Sequence, residues 1–122
     1  MHADTVYLQH IHVWHRKHTY PQLCEAILRL FIDVEEVSDE DLRCIVTESC
    51  ARFDDPFVTP VKAVGNLQVC ELWHGPTLAF KDLGLQILAR LMTFFLTRGE
   101  STRTILVGTS GDTGEAAVLC NA

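Results

Sequence analysis

Residues 102–114 read TRTILVGTSGDTG, an apolar β-branched run that breaks into the spacing Gly-x-x-Gly-x-x-Gly at Gly108, Gly111 and Gly114. The run suits a strand buried on both faces, and the small polar turn leads into EAAVL, the opening of a helix. A strand-turn-helix of this kind aims backbone N–H groups and the positive end of a helix dipole at the carboxyl edge of a sheet, where an anion can sit. The turn is not a P-loop, since no Lys-Ser/Thr closes it, and its glycine spacing is not the dinucleotide fingerprint. An anionic substrate group such as a carboxylate fits it better. Asp112 is the odd member. In an anion cradle its carboxylate must meet a donor, a hydroxyl or a cationic imine; otherwise it serves only to cap the following helix.

Upstream, residues 71–84 read ELWHGPTLAFKDLG. The alternation over 67–73 predicts a short strand, HGPT a turn, and Leu83, Ile87, Leu88, Leu91 and Phe95 the apolar face of a helix with Gly99 beyond its end. Strand, helix, strand, helix is the rhythm of a parallel α/β sheet. Two strands fall short of the usual sheet of about five or six, so the sheet is expected to be incomplete. Lys81 is expected within the first two turns of the first of these helices. The dipole there opposes an ammonium, burial beside Phe80 acts in the same sense, and an amine within reach of an aldehyde forms a Schiff base. The plainer reading of Lys81 is a surface cation, solvated or paired with Asp82.

Before this region, YPQLCEAILRLFI (20–32) carries Leu23, Ile27, Leu30 and Phe31 at helical spacing, with Pro21 suited to a first turn. SDEDLRCIVTESCARF (38–53) opens with Ser38 and Asp41 at capping-box spacing and sets Leu42, Ile45, Val46 and Phe53 on one face. The two helices are expected to form a hairpin. DDPFVTPVKAVGN (54–66), with Pro56, Pro60 and Gly65, reads as a connection. The first eighteen residues hold His2, His10, His12, His15 and His18; His10 and His12 would share a strand face and could hold a transition metal, but no carboxylate or thiolate ligand sits nearby. A solvated arm without metal is the preferred reading.

Ten Lys and Arg stand against sixteen Asp and Glu, a formal net charge of −6, which speaks against nucleic acid as a partner. The most apolar window, 83–96, is interrupted by Gln86 and Arg90 and is too short for a membrane span, and the start shows no secretory signal. A soluble, cytoplasmic protein is expected. Five cysteines without a CxxC pair point to unbridged, mostly buried thiols.

Taken together, ELWHGPTLAFKDLG and ILVGTSGDTG resemble the paired lysine and Ser-Gly-Asp/Asn-Thr-Gly segments of the threonine synthase family and its animal threonine synthase-like relatives, within the fold type II pyridoxal-phosphate enzymes. The resemblance is strong over 67–118, loose over 20–53 and absent over 1–18. It implies an unmatched arm at 1–18, a helical N-terminal region at 19–62, and the start of a tryptophan synthase β-like parallel-sheet domain at 63–122. It also implies pyridoxal 5'-phosphate as cofactor and O-phosphohomoserine as substrate, with threonine or a 2-oxo acid as product. Lys81 would bind the cofactor covalently and move protons, Asp112 would face the cofactor's ring hydroxyl, and Ser110, Gly111 and Thr113 would hold the substrate carboxylate. The family's Ser-Thr-Arg-Gly and Gly-Gly-Leu-Phe-x-Pro-like segments do not occur before Tyr20. The resemblance places the glycine-rich loop for the cofactor phosphate and the partner of the pyridine nitrogen beyond Ala122, so this chain alone is expected to be inactive. Serine/threonine dehydratase and cysteine synthase types share a lysine and a similar turn; Asp112 in place of asparagine, with HGPTLAFKD, favours threonine synthase. A non-catalytic protein whose residues 20–53 bind a partner, with the exposed 67–96 surface left by the incomplete sheet also able to drive association, is the reading from a different class.

Overall fold

The structure, a computed structural model, describes residues 17–99 and 102–120. The histidines at 2, 10, 12 and 15 lie outside the described residues. The chain divides into two units, Met1–Thr47 and Glu48–Ala122.

In the first unit, helix α1 spans Tyr20–Leu28 with Pro21 in its first turn. The N–H of Thr19, just ahead of it, donates to Gln22 Oε1 at 2.9 Å, the return half of a capping box. The helix ends earlier than the apolar spacing predicts. Leu30 and Phe31 close onto Ile27 and Leu28 by tight three-residue hydrogen bonds, and both side chains are exposed rather than continuing the helix face. Arg29 Nη1 donates to the carbonyls of Ile32 and Val37, fixing the turn that follows. Helix α2, Asp39–Cys50, opens where expected: Ser38 Oγ accepts the Asp41 N–H and donates to the Asp41 carboxylate. Ion pairs from Arg29 to Asp39 and from Arg43 to Glu25 tie α1 to the first turns of α2, giving the expected helical pair. Leu42, Ile45 and Val46 are buried, but the next position of that stripe is the buried Ser49; Phe53 lies beyond the helix.

The second unit contains a hairpin that the sequence reading only half anticipates. β2, Leu67–Cys70, is the expected strand, and it pairs antiparallel with β1, Val61–Val64, in the stretch read as a connection. Gly65 supplies the positive φ of +59° at the first position of the two-residue turn. Helix α3 runs Asp82–Arg98 and packs on helix α4, Asp112–Leu119. Residues 102–109 between them form no strand among the described residues, and Leu106 is 97% exposed. A strand of this composition needs neighbours on both edges and both faces, and the hairpin is the only sheet among the described residues. For the same reason the face of α3 predicted to be buried is not: Leu88 and Phe95 are half exposed, while Asp82, Gln86 and Ala89 are buried. The last residues of α2, from Glu48, belong to this second unit, and within it Ser49 Oγ donates to the Gln86 carbonyl at 3.2 Å.

None of the five cysteines is disulfide-bonded. They are less buried than expected, with Cys44 and Cys70 exposed and the others intermediate. No helix among the described residues is long and apolar enough to cross a membrane.

Candidate functional site

Lys81 stands one residue ahead of α3, at its N-cap position, with helical φ −58° and ψ −29°. The chain reaches it through a tight winding: Leu78 N–H donates to the Gly75 carbonyl, Asp82 N–H to Ala79, and Leu83 N–H to Phe80, at 3.0–3.2 Å. Leu78 adopts a φ of +61°, unusual for a branched side chain and a local strain in the turn before the lysine.

The centre of this winding is Asp82, which is fully buried. Its Oδ2 accepts the Thr77 N–H at 2.8 Å and the Thr77 hydroxyl at 2.9 Å. The same hydroxyl accepts the Ala79 N–H at 3.4 Å. Gly75 lies so close that a Cβ there would overlap the Asp82 carboxylate, which is why the turn opens on glycine. Asp82 therefore faces inward and is not the ion partner of Lys81. Among the described residues the Lys81 amine makes no ion pair, and its contact is the face of Phe80, 4.8 Å from Nζ to the ring centroid.

A second polar knot holds the approach to the turn. His74 Nδ1 lies 2.6 Å from Asp54 Oδ1 and Nε2 lies 2.9 Å from Glu71 Oε2, and the His74 carbonyl accepts the Asp54 N–H. The hydrogen bond to Glu71, then that to Asp54, raises the His74 pKa above its ordinary value of 6.5.

Ser110, Gly111 and Asp112 are exposed where the chain enters α4, and Thr113 is half-buried. Gly111 N–H donates to Thr109 Oγ1 at 3.3 Å, and the Gly111 carbonyl takes up the N–H groups of Gly114 and Glu115. A Cβ on Gly114 would come within 2.6 Å of the Thr109 methyl. Asp112 is the first helical residue and Gly111 the cap, so Asp112 does not fill the capping position that was its plainer role. Of the first N–H groups of α4, those of Asp112 and Thr113 have no acceptor inside the helix and are the ones available to an anion. Lys81 stands at the N-terminal end of α3 and residues 110–113 at that of α4, with no contact between them among the described residues: Met92 and Leu96, far along α3, share a cavity wall with Gly114, while the Asp82 carboxylate acts on Cys120 past the other end of α4. The two helices pack together. Between them lies an apolar cavity of about 220 Å³, with Leu85, Ala89, Met92, Val107 and Thr113 in its wall. Burial pushes the thiol of Cys120, also in that wall, upward.

Sequence reasoning located the lysine and the glycine turn but missed the inward role of Asp82 and the His74 knot. The signal for the first was Gly75-Pro76-Thr77 five residues before a carboxylate; the second joins Asp54 to His74 across a hairpin that the sequence did not reveal. Among the described residues no group of three or more His, Cys, Asp and Glu is placed to hold a metal ion.

No protein-family model matches the chain. It is 40% identical over 117 residues to a threonine synthase of Schizosaccharomyces pombe, covering 88% of this chain and 23% of that protein. It is 40% identical over 101 residues to threonine synthase-like 2 of Homo sapiens, covering 82% of this chain and 21% of that protein. Among solved structures, the crystal structure of threonine synthase from yeast superposes with a TM-score of 0.77 at 40% identity, over 86% of this chain and 23% of that one. A PLP-bound threonine synthase from Brucella melitensis gives 0.78 at 38% identity, over 86% and 23%. The chain thus spans less than a quarter of the length of the relatives it matches.

Proposed function

The chain is homologous to the N-terminal part of the threonine synthases, and from that premise we propose that it carries the cofactor lysine and substrate-carboxylate turn of a pyridoxal-phosphate-dependent, threonine synthase-like enzyme acting on O-phosphohomoserine. The observation that supports this reading most is the state of Lys81: its amine is spent on no ion pair among the described residues, while the adjacent carboxylate is turned inward and locks the turn beneath it. A primary amine presented in this way fits an aldehyde cofactor.

Lys81 would hold the cofactor, and Asp112 would accept the proton of its ring hydroxyl. When bound, pyridoxal phosphate supplies an electron sink for charge that develops on the substrate carbons. The N–H groups and hydroxyls of Ser110, Gly111 and Thr113 would receive the substrate carboxylate, which the N-terminal end of α4 favours electrostatically. With the carboxylate held there, the Lys81 amine would take and return protons at the substrate carbons. The reaction ends in phosphate loss, with threonine or a 2-oxo acid as product. The resemblance places the residues that would bind the cofactor phosphate and ring nitrogen in the larger part of the relatives that this chain does not span.

A chimera tests the reading. This segment replaces the matching segment of the Schizosaccharomyces pombe threonine synthase, and phosphate release from O-phosphohomoserine is measured. Release is expected, together with its loss and the loss of the bound cofactor's absorbance band in Lys81→Ala. Turnover of serine or O-acetylserine without phosphate release would assign the segment to the dehydratase or cysteine synthase type instead.

A further inference from the structure

We propose that Asp82 is the positioning residue of Lys81, acting through the Thr77 turn and completed by Gln86; the proposal rests on the reading of Lys81 as the cofactor lysine. Asp82 is fully buried, a place where a carboxylate survives only if hydrogen-bonded. Both of its bonds go to one residue of the turn, Thr77, and both land on Oδ2. The other oxygen, Oδ1, is buried without a partner, and so is Nε2 of Gln86. These two atoms are an acceptor and a donor on residues 82 and 86, one helical turn apart, the spacing at which Gln and Asp side chains meet on a helix. Each group left unpaired carries the penalty of its lost hydration, so a rotation of the Gln86 amide onto Oδ1 satisfies two deficits with one bond.

The anchor extends past the side chains. The Gln86 carbonyl accepts the hydroxyl of Ser49, itself buried at the end of α2. With the Gln86 amide rotated onto Oδ1, a line of polar contacts would run from Thr77 through Asp82 and Gln86 to Ser49, on the face of α3 where apolar residues were expected. The covalent neighbour of its central member is Lys81. Backbone placement of Lys81 depends on the Asp82 carboxylate, because that carboxylate is the side chain that holds Thr77, and with it residues 75–77, in front of the helix. The Gly75 backbone seals the arrangement, since no larger residue fits against Asp82.

The 122-residue chain has three lysines, Lys17, Lys62 and Lys81, so site selectivity can be read internally. The chain is exposed briefly to pyridoxal phosphate, each amine condensing with the aldehyde by loss of water, and borohydride reduces the C=N bond to a stable amine. Peptide mass spectrometry then gives labelling at Lys81 relative to Lys62, which sits on the exposed strand β1. Wild type is expected to favour Lys81, and Asp82→Ala to lower the ratio about tenfold, the scale of a small misplacement of a reacting group. Asp82→Asn keeps an oxygen for the Thr77 N–H and hydroxyl and is expected to restore most of the ratio. Gln86→Leu is expected to lower it by less than Asp82→Ala. Val46→Ala, a core truncation elsewhere, is the control for lost stability and should leave the ratio unchanged. Should Asp82→Ala not fold, the Asp82→Asn and Gln86→Leu ratios decide. An undiminished ratio in Asp82→Ala, or in Gln86→Leu when it stands in for it, or an equal fall in Val46→Ala overturns the positioning role. A wild-type chain with no preference for Lys81 overturns the functional reading itself, and the two failures are told apart by the wild-type result.

Discussion

A histidine with a carboxylate on each ring nitrogen can satisfy both only as the imidazolium, because the neutral ring has a single N–H to give. His74 is in that position between Glu71 and Asp54, with Asp55 adding attraction through space and partial desolvation working against it. Its folded pKa is raised, so the folded state holds the proton more tightly than the unfolded chain. The resulting stabilisation is complete below 6.5 and is lost as pH rises through the folded value. Nuclear magnetic resonance titration should place the His74 midpoint above 6.5, and His74→Gln should flatten the fall in thermal midpoint across that interval. A His74 midpoint at or below 6.5 would contradict the arrangement.

Two glycines of the lysine segment separate close packing from mere presence in an element. At Gly75 an added methyl would strike the Asp82 carboxylate, whereas at Gly84, in the first turn of α3, it would meet nothing within 4 Å. Gly75→Ala is expected to destabilise by about 1–3 kcal/mol, as overpacking does. Gly84→Ala is expected to stabilise by about 0.5–1 kcal/mol, by helix propensity and a less flexible unfolded chain. Urea unfolding midpoints of the two variants should therefore move in opposite directions, and a shared direction would refute the packing of Gly75 on Asp82. The elements themselves were legible where local chemistry decides them: Ser38 and Asp41 mark the start of α2, and Gly99 the end of α3. β1 was not, because its four residues are defined by pairing with β2, and Pro60 and Gly65 on either side look like breakers until the hairpin is seen.

At the scale of the molecule, apolar surface remains unpartnered within the second unit: Leu106 is 97% exposed, Val118 70% and Phe57 71%. Such surface favours association, so the purified 122-residue chain is expected to be poorly soluble, and Leu106→Glu to raise the monomer fraction in size-exclusion chromatography. The chain spans 23% of the threonine synthase it matches, and by itself it is expected to release no phosphate from O-phosphohomoserine with added pyridoxal phosphate. Release at an enzyme-like rate, on the order of 1 s⁻¹ or above, would show that its own residues complete a cofactor site. What the sequence determined alone was the chemistry and its order along the chain: a lysine after Gly-Pro-Thr, a glycine turn thirty residues on, and helices at their caps. These are local properties, set by which residue types adjoin. Which groups face inward was decided only by the tertiary structure. Sequence alone leaves Asp82 open as a salt-bridge partner of Lys81, yet the folded turn buries it against Thr77, because a carboxylate enclosed by backbone is held by the N–H and hydroxyl it meets there. The run at 105–107 reads as a buried strand, yet burial belongs to the neighbours a segment finds, and none of the described residues pairs with it.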